Sequence, residues 1–166
     1  MDEFRIERVP ASEKAVFIRY FQFYLYEHAE FTGKKPTDGM FSYPWFDLYW
    51  QQQNTRWPFW MRVAGDIVAL ALIRFDEEDG CYELAEFFVV NQYRGQGLGD
   101  RFAKDIILRF NGRWKLNQVK RNERAVAFWR RVLGEIADYA EAPLTREDKV
   151  ERIEQRFVIG LASAQG

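Results

Sequence analysis

Residues 83–99, ELAEFFVVNQYRGQGLG, run from an apolar strand through a glycine-spaced turn that carries an arginine into the opening of a helix. This order builds an anion site, because glycines let backbone N–H groups crowd round a phosphate and the helix start adds the positive end of its dipole. Two common phosphate loops are disfavoured by what the turn lacks. A P-loop ends in Gly-Lys-Ser/Thr, but Asp100 and Arg101 follow Gly99, so no lysine is placed to reach terminal phosphates. The dinucleotide fingerprint GxGxxG needs a third glycine where this chain has Asp100. What stays is Arg94, Gly97 and Gly99 in an RxxGxG spacing.

Around that turn the chain alternates between two periodicities. FRIERV reads as a first strand, and Pro10 and Ser12 mark a turn and cap before apolar residues Val16, Phe17, Tyr20, Phe21 and Tyr24 recur at helical spacing to about His28. Gly33, Pro36 and Gly39 break the pattern, and Pro44 precedes a second short helix through PWFDLYWQQQ. PFWMRVA and DIVALALIRF read as antiparallel strands joined at Ala64, Gly65 and Asp66, with YELAEFFVV completing a meander. Leu98, Phe102, Ile106, Ile107 and Phe110 stripe a helix that ends near Asn111 and Gly112. A strand at RWKLNQV and a helix NERAVAFWRRVL capped by Asn122 follow. IADYA and KVERIEQRFVIG are the last strands, with Pro143 and a charged segment between them, and the closing ASAQG is expected to fray. Strands mixed with βα units predict an α/β (α+β) domain spanning 1–166, one twisted mixed sheet with helices on both faces.

At 166 residues the chain can bury roughly 70% of its unfolded surface in one core. Its net charge of −1 argues against nucleic-acid or membrane adhesion. Basic residues nevertheless gather from Arg94 to Arg131, eleven against three acidic ones, which suits a ligand carrying several phosphates. Cys81 has no second cysteine to pair with, and MDEFRIERVP lacks the order of a signal peptide, so a cytoplasmic location is expected. One cysteine and one histidine cannot supply the usual four-ligand metal sets, and His28 reads as a surface residue near a helix end.

The Arg94–Gly99 turn resembles the coenzyme A pyrophosphate loop of the GNAT superfamily of N-acetyltransferases. Its flanks carry the likeness further. Glu83 and Glu86, among Leu84, Phe87, Val89 and Val90, resemble the family's central strand, while Asn122, Ala125, Phe128 and Trp129 match its second signature. FYLYEHAEFTG, SYPWFDLYW, AEFF, NGRW and EQRF are similar to a little-characterised branch of predicted acetyltransferases. The resemblance implies a mostly antiparallel sheet with a splayed central strand, and acetyl transfer from acetyl-CoA to a primary amine without metal. It places the pyrophosphate on Arg94, Gly95, Gln96, Gly97, Leu98 and Gly99. The pantetheine arm would lie along Phe88, Val89 and Val90, with Asn122, Phe128 and Trp129 beside it. The amide of Phe88 or Val89, at a strand bulge, would hold the oxyanion.

An alkylamine is less than about 0.1% neutral at pH 7, so such a reaction gains from a positioned base. Glu83 occupies the family's acidic position. Glu86 is the alternative, on the opposite face of the strand unless a bulge intervenes. The chain departs from the family at Trp129, where a tyrosine often protonates the leaving thiolate, and at Gly134, one residue late. An indole is no useful acid. A non-catalytic acyl-CoA-binding sensor or interaction module is therefore the rival reading. Aromatic residues concentrate between Phe17 and Trp60. Phe17, Tyr20 and Phe21 are assigned to packing, and Tyr43, Trp45, Tyr49 and Trp50 to an acceptor channel, with Asp38 or Asp47 adding charge. The expected acceptor is a small amine with an apolar body, with a peptide as the alternative, and a homodimer is compatible with the pattern.

Overall fold

The IVALALI run at the centre of the chain has no polar interruption, which suits a strand covered on both faces. The computed structural model, which describes residues 3–160, places it so. Among the described residues seven strands form one sheet in the order β1-β2-β3-β4-β5-β7-β6. They are β1 (Phe4–Arg8), β2 (Arg56–Val63), β3 (Asp66–Asp76), β4 (Cys81–Val89), β5 (Gly112–Val119), β6 (Tyr139–Thr145) and β7 (Glu151–Ile159). The same described residues form four α-helices: α1 (Lys14–Thr32), α2 (Leu48–Gln51), α3 (Leu98–Leu108) and α4 (Glu123–Ile136). All pairings are antiparallel except β4 with β5, which α3 connects as a crossover.

Each face of β3 feeds its own core. Leu70 and Leu72 meet Phe17 and Phe21 of α1, Tyr49 and Trp50 of α2, and Trp60. Ala71 and Ile73 face Phe102, Ile106 and Ile107 of α3 and Trp129, Val132 and Leu133 of α4. The β2–β3 hairpin turns through Ala64 (φ 50°) and Gly65 (φ 89°), the two left-handed residues of a type I′ turn. Asn122 caps α4 by accepting from the Ala125 amide at 3.2 Å.

Three boundaries differ from the sequence pattern. The first helix continues four residues past His28 and closes on left-handed Gly33, whose amide donates to the Ala29 carbonyl at 2.8 Å. The second helix is a single turn, because Gln52 leaves helical geometry. Ile136 belongs to α4, and β6 begins at Tyr139 and runs through Pro143, whose missing N–H is tolerated on an edge strand. The ASAQG tail lies outside the described residues.

Phe17 is fully buried and within 6.3 Å, centroid to centroid, of Phe21, Phe46, Trp50 and Trp60. Phe17→Ala is expected to cost about 3–5 kcal/mol in urea denaturation, because a ring-sized void would remain in a core built from rigid aromatics.

Candidate active site

Among the described residues, β4 pairs with β5 at Tyr82–Leu84 and no further, and the remaining residues of β5 pair with β7 alone. The two strands diverge from Leu84 onward. On its other edge β4 stays in register with β3, and the Val90 amide donates to the Val68 carbonyl at 2.9 Å. Antiparallel alternation then turns the Phe88 amide toward β3 and those of Phe87 and Val89 into the gap. Of the two oxyanion amides expected, Val89 faces the open side and Phe88 does not. The Val90 amide, expected on the pantetheine arm, is committed to β3.

The strand bulge lies earlier than the resemblance implied. Leu72 pairs with Glu86 and Ile73 with Leu84, so Ala85 is the extra residue. This insertion changes the side-chain parity of β4. Glu83 stands opposite Arg74 and Glu86 opposite Leu72, which brings both carboxylates to the α1 face. Their surroundings differ sharply. Glu83 is buried, accepts from Arg74 Nε at 2.7 Å and lies 3.9 Å from Lys115 Nζ. Lys115 also holds Asp76 at 2.7 Å and Asp79 at 3.1 Å, and Asp79 holds Arg156 at 2.7 Å. Glu83 thus belongs to an ion network that ties β3, β4, β5 and β7 together.

Glu86 has phenols, not cations, as its hydrogen-bond partners, with Lys34 and Arg152 acting on it only through their charge. The Tyr24 hydroxyl of α1 donates to its Oε2, and Tyr43 hydrogen-bonds to the same carboxyl group. Burial pushes its pKa up to about 7, against the opposing pull of the two tyrosine hydrogen bonds. Tyr43 itself is held well above the usual phenol range, first by burial and then by Glu86. Trp45 is exposed and meets the Tyr43 ring edge-on at 5.4 Å. Tyr49, expected in the acceptor channel, is instead a core residue with 1% exposure, and Trp50, at 9%, joins the same core.

The gap opens into a cleft of about 740 Å³ between α1, the end of β4, the glycine turn and α4. Gly97, a cleft-lining residue, is the left-handed N-cap of α3 (φ 79°), and a Cβ there would meet nothing within 4 Å. Gly99 answers a different need, since a Cβ would stand 2.9 Å from Val89 Cγ2. Gly95 and Asn122 line the cleft, whereas Gln96 is exposed with its amide on the Gln92 carbonyl at 3.4 Å, and the Leu98 side chain packs on the α3/α4 core. The Arg94 side chain folds back: Nε donates to the Val89 carbonyl at 2.9 Å and Nη2 to Glu27 of α1 at 2.6 Å. Phe128 and Trp129 form the α4 wall, Trp129 edge-on to Phe87 at 5.0 Å.

Two cleft residues carried no usable sequence signal. Tyr24 sat within an apolar helical stripe, and His28 read as a surface group. His28 in fact stacks on the Tyr24 ring at 5.3 Å, half-buried, and burial, Arg152 and Lys34 hold its pKa down to about 4. It is neutral near pH 7.

The acetyltransferase (GNAT) family model matches residues 20–134, more than half of the chain, and the protein belongs to that family. Membership supports acyl-CoA-dependent acetyl transfer. Solved structures share the fold at low identity. The ribosomal-protein-S5-alanine acetyltransferase of Vibrio fischeri superposes with a TM-score of 0.68 at 12% identity, covering 95% of this chain and 96% of that one. A GNAT family acetyltransferase from Elizabethkingia anophelis with acetyl-CoA bound gives 0.63 at 13%, covering 96% and 100%. The aminoglycoside acetyltransferase AAC(6′)-Ib in complex with coenzyme A gives 0.65 at 13%, covering 94% and 95%. No curated protein matches the chain in sequence. Among the described residues no helix is long and apolar enough to cross a membrane.

A raised carboxyl pKa means that the folded state favours the protonated form. The associated stability is complete below about 4.5, the usual value, and is lost as pH climbs through about 7. Glu86→Gln removes that loss. The stability of the variant relative to wild type should therefore rise across this window, by up to ~3 kcal/mol, in urea denaturation at a series of pH values. Parallel pH dependences would contradict the half-buried, proton-retaining carboxyl.

Proposed function

We propose that the protein is an N-acetyltransferase that moves the acetyl group of acetyl-CoA directly to a primary amine, with Glu86 as the base. The single observation that carries this reading is a half-buried carboxyl with a pKa of about 7, flanked by phenols beside the open edge of β4. A base poised near neutrality is charged often enough to act and basic enough to take a proton from an amine. Glu83, expected in this role, has its oxygens turned to Arg74 and Lys115, and we assign it to the sheet.

In this reading the acyl donor lies along the open edge of β4, its arm pairing as an added strand and its thioester oxygen on the Val89 amide. The amides of Gly95–Gly99 and the α3 N-terminus take the pyrophosphate, and Asn122 contacts the arm. Arg94 must release the Val89 carbonyl for the arm to use it, and a phosphate is the natural competitor for its guanidinium. The amine enters from the α1 face past Tyr43 and Trp45. Neighbours named for a ribosomal protein and for an aminoglycoside share this fold, so the fold alone does not choose the acceptor. An amine of modest size with an apolar body suits the aromatic entrance.

Gly97→Glu should abolish coenzyme A binding by calorimetry while preserving the circular dichroism spectrum, because the new carboxylate would occupy the open phosphate position. Unchanged affinity would rule out the cradle. With thiol release followed across an amine panel, Glu86→Gln should lower turnover by about 10²–10⁴-fold and abolish the rise of rate through pH about 7. Glu83→Gln should act chiefly on stability. The opposite ranking of the two variants in turnover would return the base to Glu83.

A further inference from the structure

Trp129 leaves the departing sulfur without the hydroxyl that a tyrosine there would bring. The described residues lining the cleft carry one hydroxyl side chain, Tyr24, on the α1 wall opposite Trp129. Tyr24 also borders the small space lined by Glu86, and with Phe87 and Phe88 it stands between the cleft and the proposed base. Its hydroxyl hydrogen lies on Glu86 Oε2. Three neighbours fix the ring: Phe21 stacks at 5.5 Å, His28 at 5.3 Å, and Phe88 packs at 5.8 Å. Such a ring can turn its O–H between two acceptors without moving its oxygen far.

Resting on the acetyl-transfer reading above, we propose that Tyr24 is the acid of the reaction, passing to the coenzyme A sulfur the proton that Glu86 takes from the amine. The amine nitrogen bonds to the thioester carbonyl carbon and gives a proton to Glu86. As the C–S bond breaks, its electron pair goes to sulfur. Sulfur takes the Tyr24 hydroxyl proton, and the Tyr24 oxygen takes the one on Glu86. The amide, the free thiol, ionised Glu86 and neutral Tyr24 result, and no proton is gained or lost by the protein. The net transfer from a carboxyl near 7 to a thiolate whose acid has a pKa near 8.5 favours the thiol by about thirtyfold.

Charge makes the order of events self-regulating. While Glu86 is ionised, its field and its hydrogen bond add to burial in holding the Tyr24 phenol well above the usual range, so Tyr24 keeps its proton. Once Glu86 is protonated, its two contributions vanish and burial, the largest cause, remains. The other groups facing this pair are Glu83 of β4, Tyr43, Lys34 beyond α1, and Arg152 of β7 with its partner Asp148. His28, neutral near pH 7, has no imidazolium proton to offer, and the Trp129 indole is no acid.

Glu86→Gln mimics the protonated carboxyl at the moment Tyr24 acts, and coenzyme A itself is the probe. The thiol of bound coenzyme A, carbon-13 labelled beside sulfur, is titrated by NMR in Glu86→Gln and in Glu86→Gln/Tyr24→Phe. A hydroxyl that reaches the sulfur stabilises the thiolate, so removing it should lower the thiolate fraction at neutral pH about tenfold at unchanged affinity. Should the double variant not fold, the thiol bound to Glu86→Gln must titrate below that of free coenzyme A. Equal titration in the two variants, or a bound thiol that titrates no lower than the free one, overturns the assignment of Tyr24 alone. Failure of coenzyme A to bind either the wild type or the variants overturns the acetyl-transfer reading as well.

Discussion

Beyond Leu84, β4 keeps its β3 neighbour and loses β5, and the rest of the site depends on that one-sided pairing. A buried strand edge leaves backbone groups that must find partners, and here they face a cleft instead of a second strand. In the structure the Val89 carbonyl meets this demand through Arg94. An acyl donor with amides along its arm offers the same pairing, and for that reason a sheet defect can serve as a substrate site. The ion network of Glu83, Lys115, Asp76, Asp79 and Arg156 lies at the closed end, where it holds β4 and β5 together before they part.

The second consequence of β4 geometry is chemical. Without the extra residue at Ala85, Glu86 would point toward α3 and α4, away from Tyr24 and Tyr43. The bulge turns it into the aromatic layer under α1, where poor solvation and two phenolic hydrogen bonds work against each other and leave its pKa near neutrality. Two carboxylates three residues apart on one strand thereby acquire different work. Glu83 is locked by cations into the sheet, and Glu86 is left able to exchange a proton.

Much of this was legible in the sequence where a residue type has few alternatives. Gly95 and Gly97 adopt left-handed backbone, and Gly99 leaves room for Val89, so the spacing of that turn carried its geometry. Asn122 before an amphipathic run announced a helix cap that is present. Parity on β4 was not legible, because Ala85 is an ordinary strand residue and nothing local marks it as the insertion. Tyr24 read as part of an apolar helical stripe and Tyr49 as a channel residue, yet Tyr24 lines the cleft and Tyr49 is in the core. A helical period tells which residues face inward but not what they meet, and one meets a carboxylate while the other enters the core. Pro143 read as a break because its strand could not be known to be an edge until the order of the sheet was known.

The central claim is that the outward amides of Phe87 and Val89 are the pairing edge for the acyl donor. Residue-resolved amide hydrogen exchange with and without acetyl-CoA tests it directly. Phe88 and Val90, bonded to β3, should be protected in the free protein and change little, while Phe87 and Val89 should gain protection when the donor binds. Protection already complete at Phe87 and Val89 in the free protein, or a gain confined to other strands, would contradict the account.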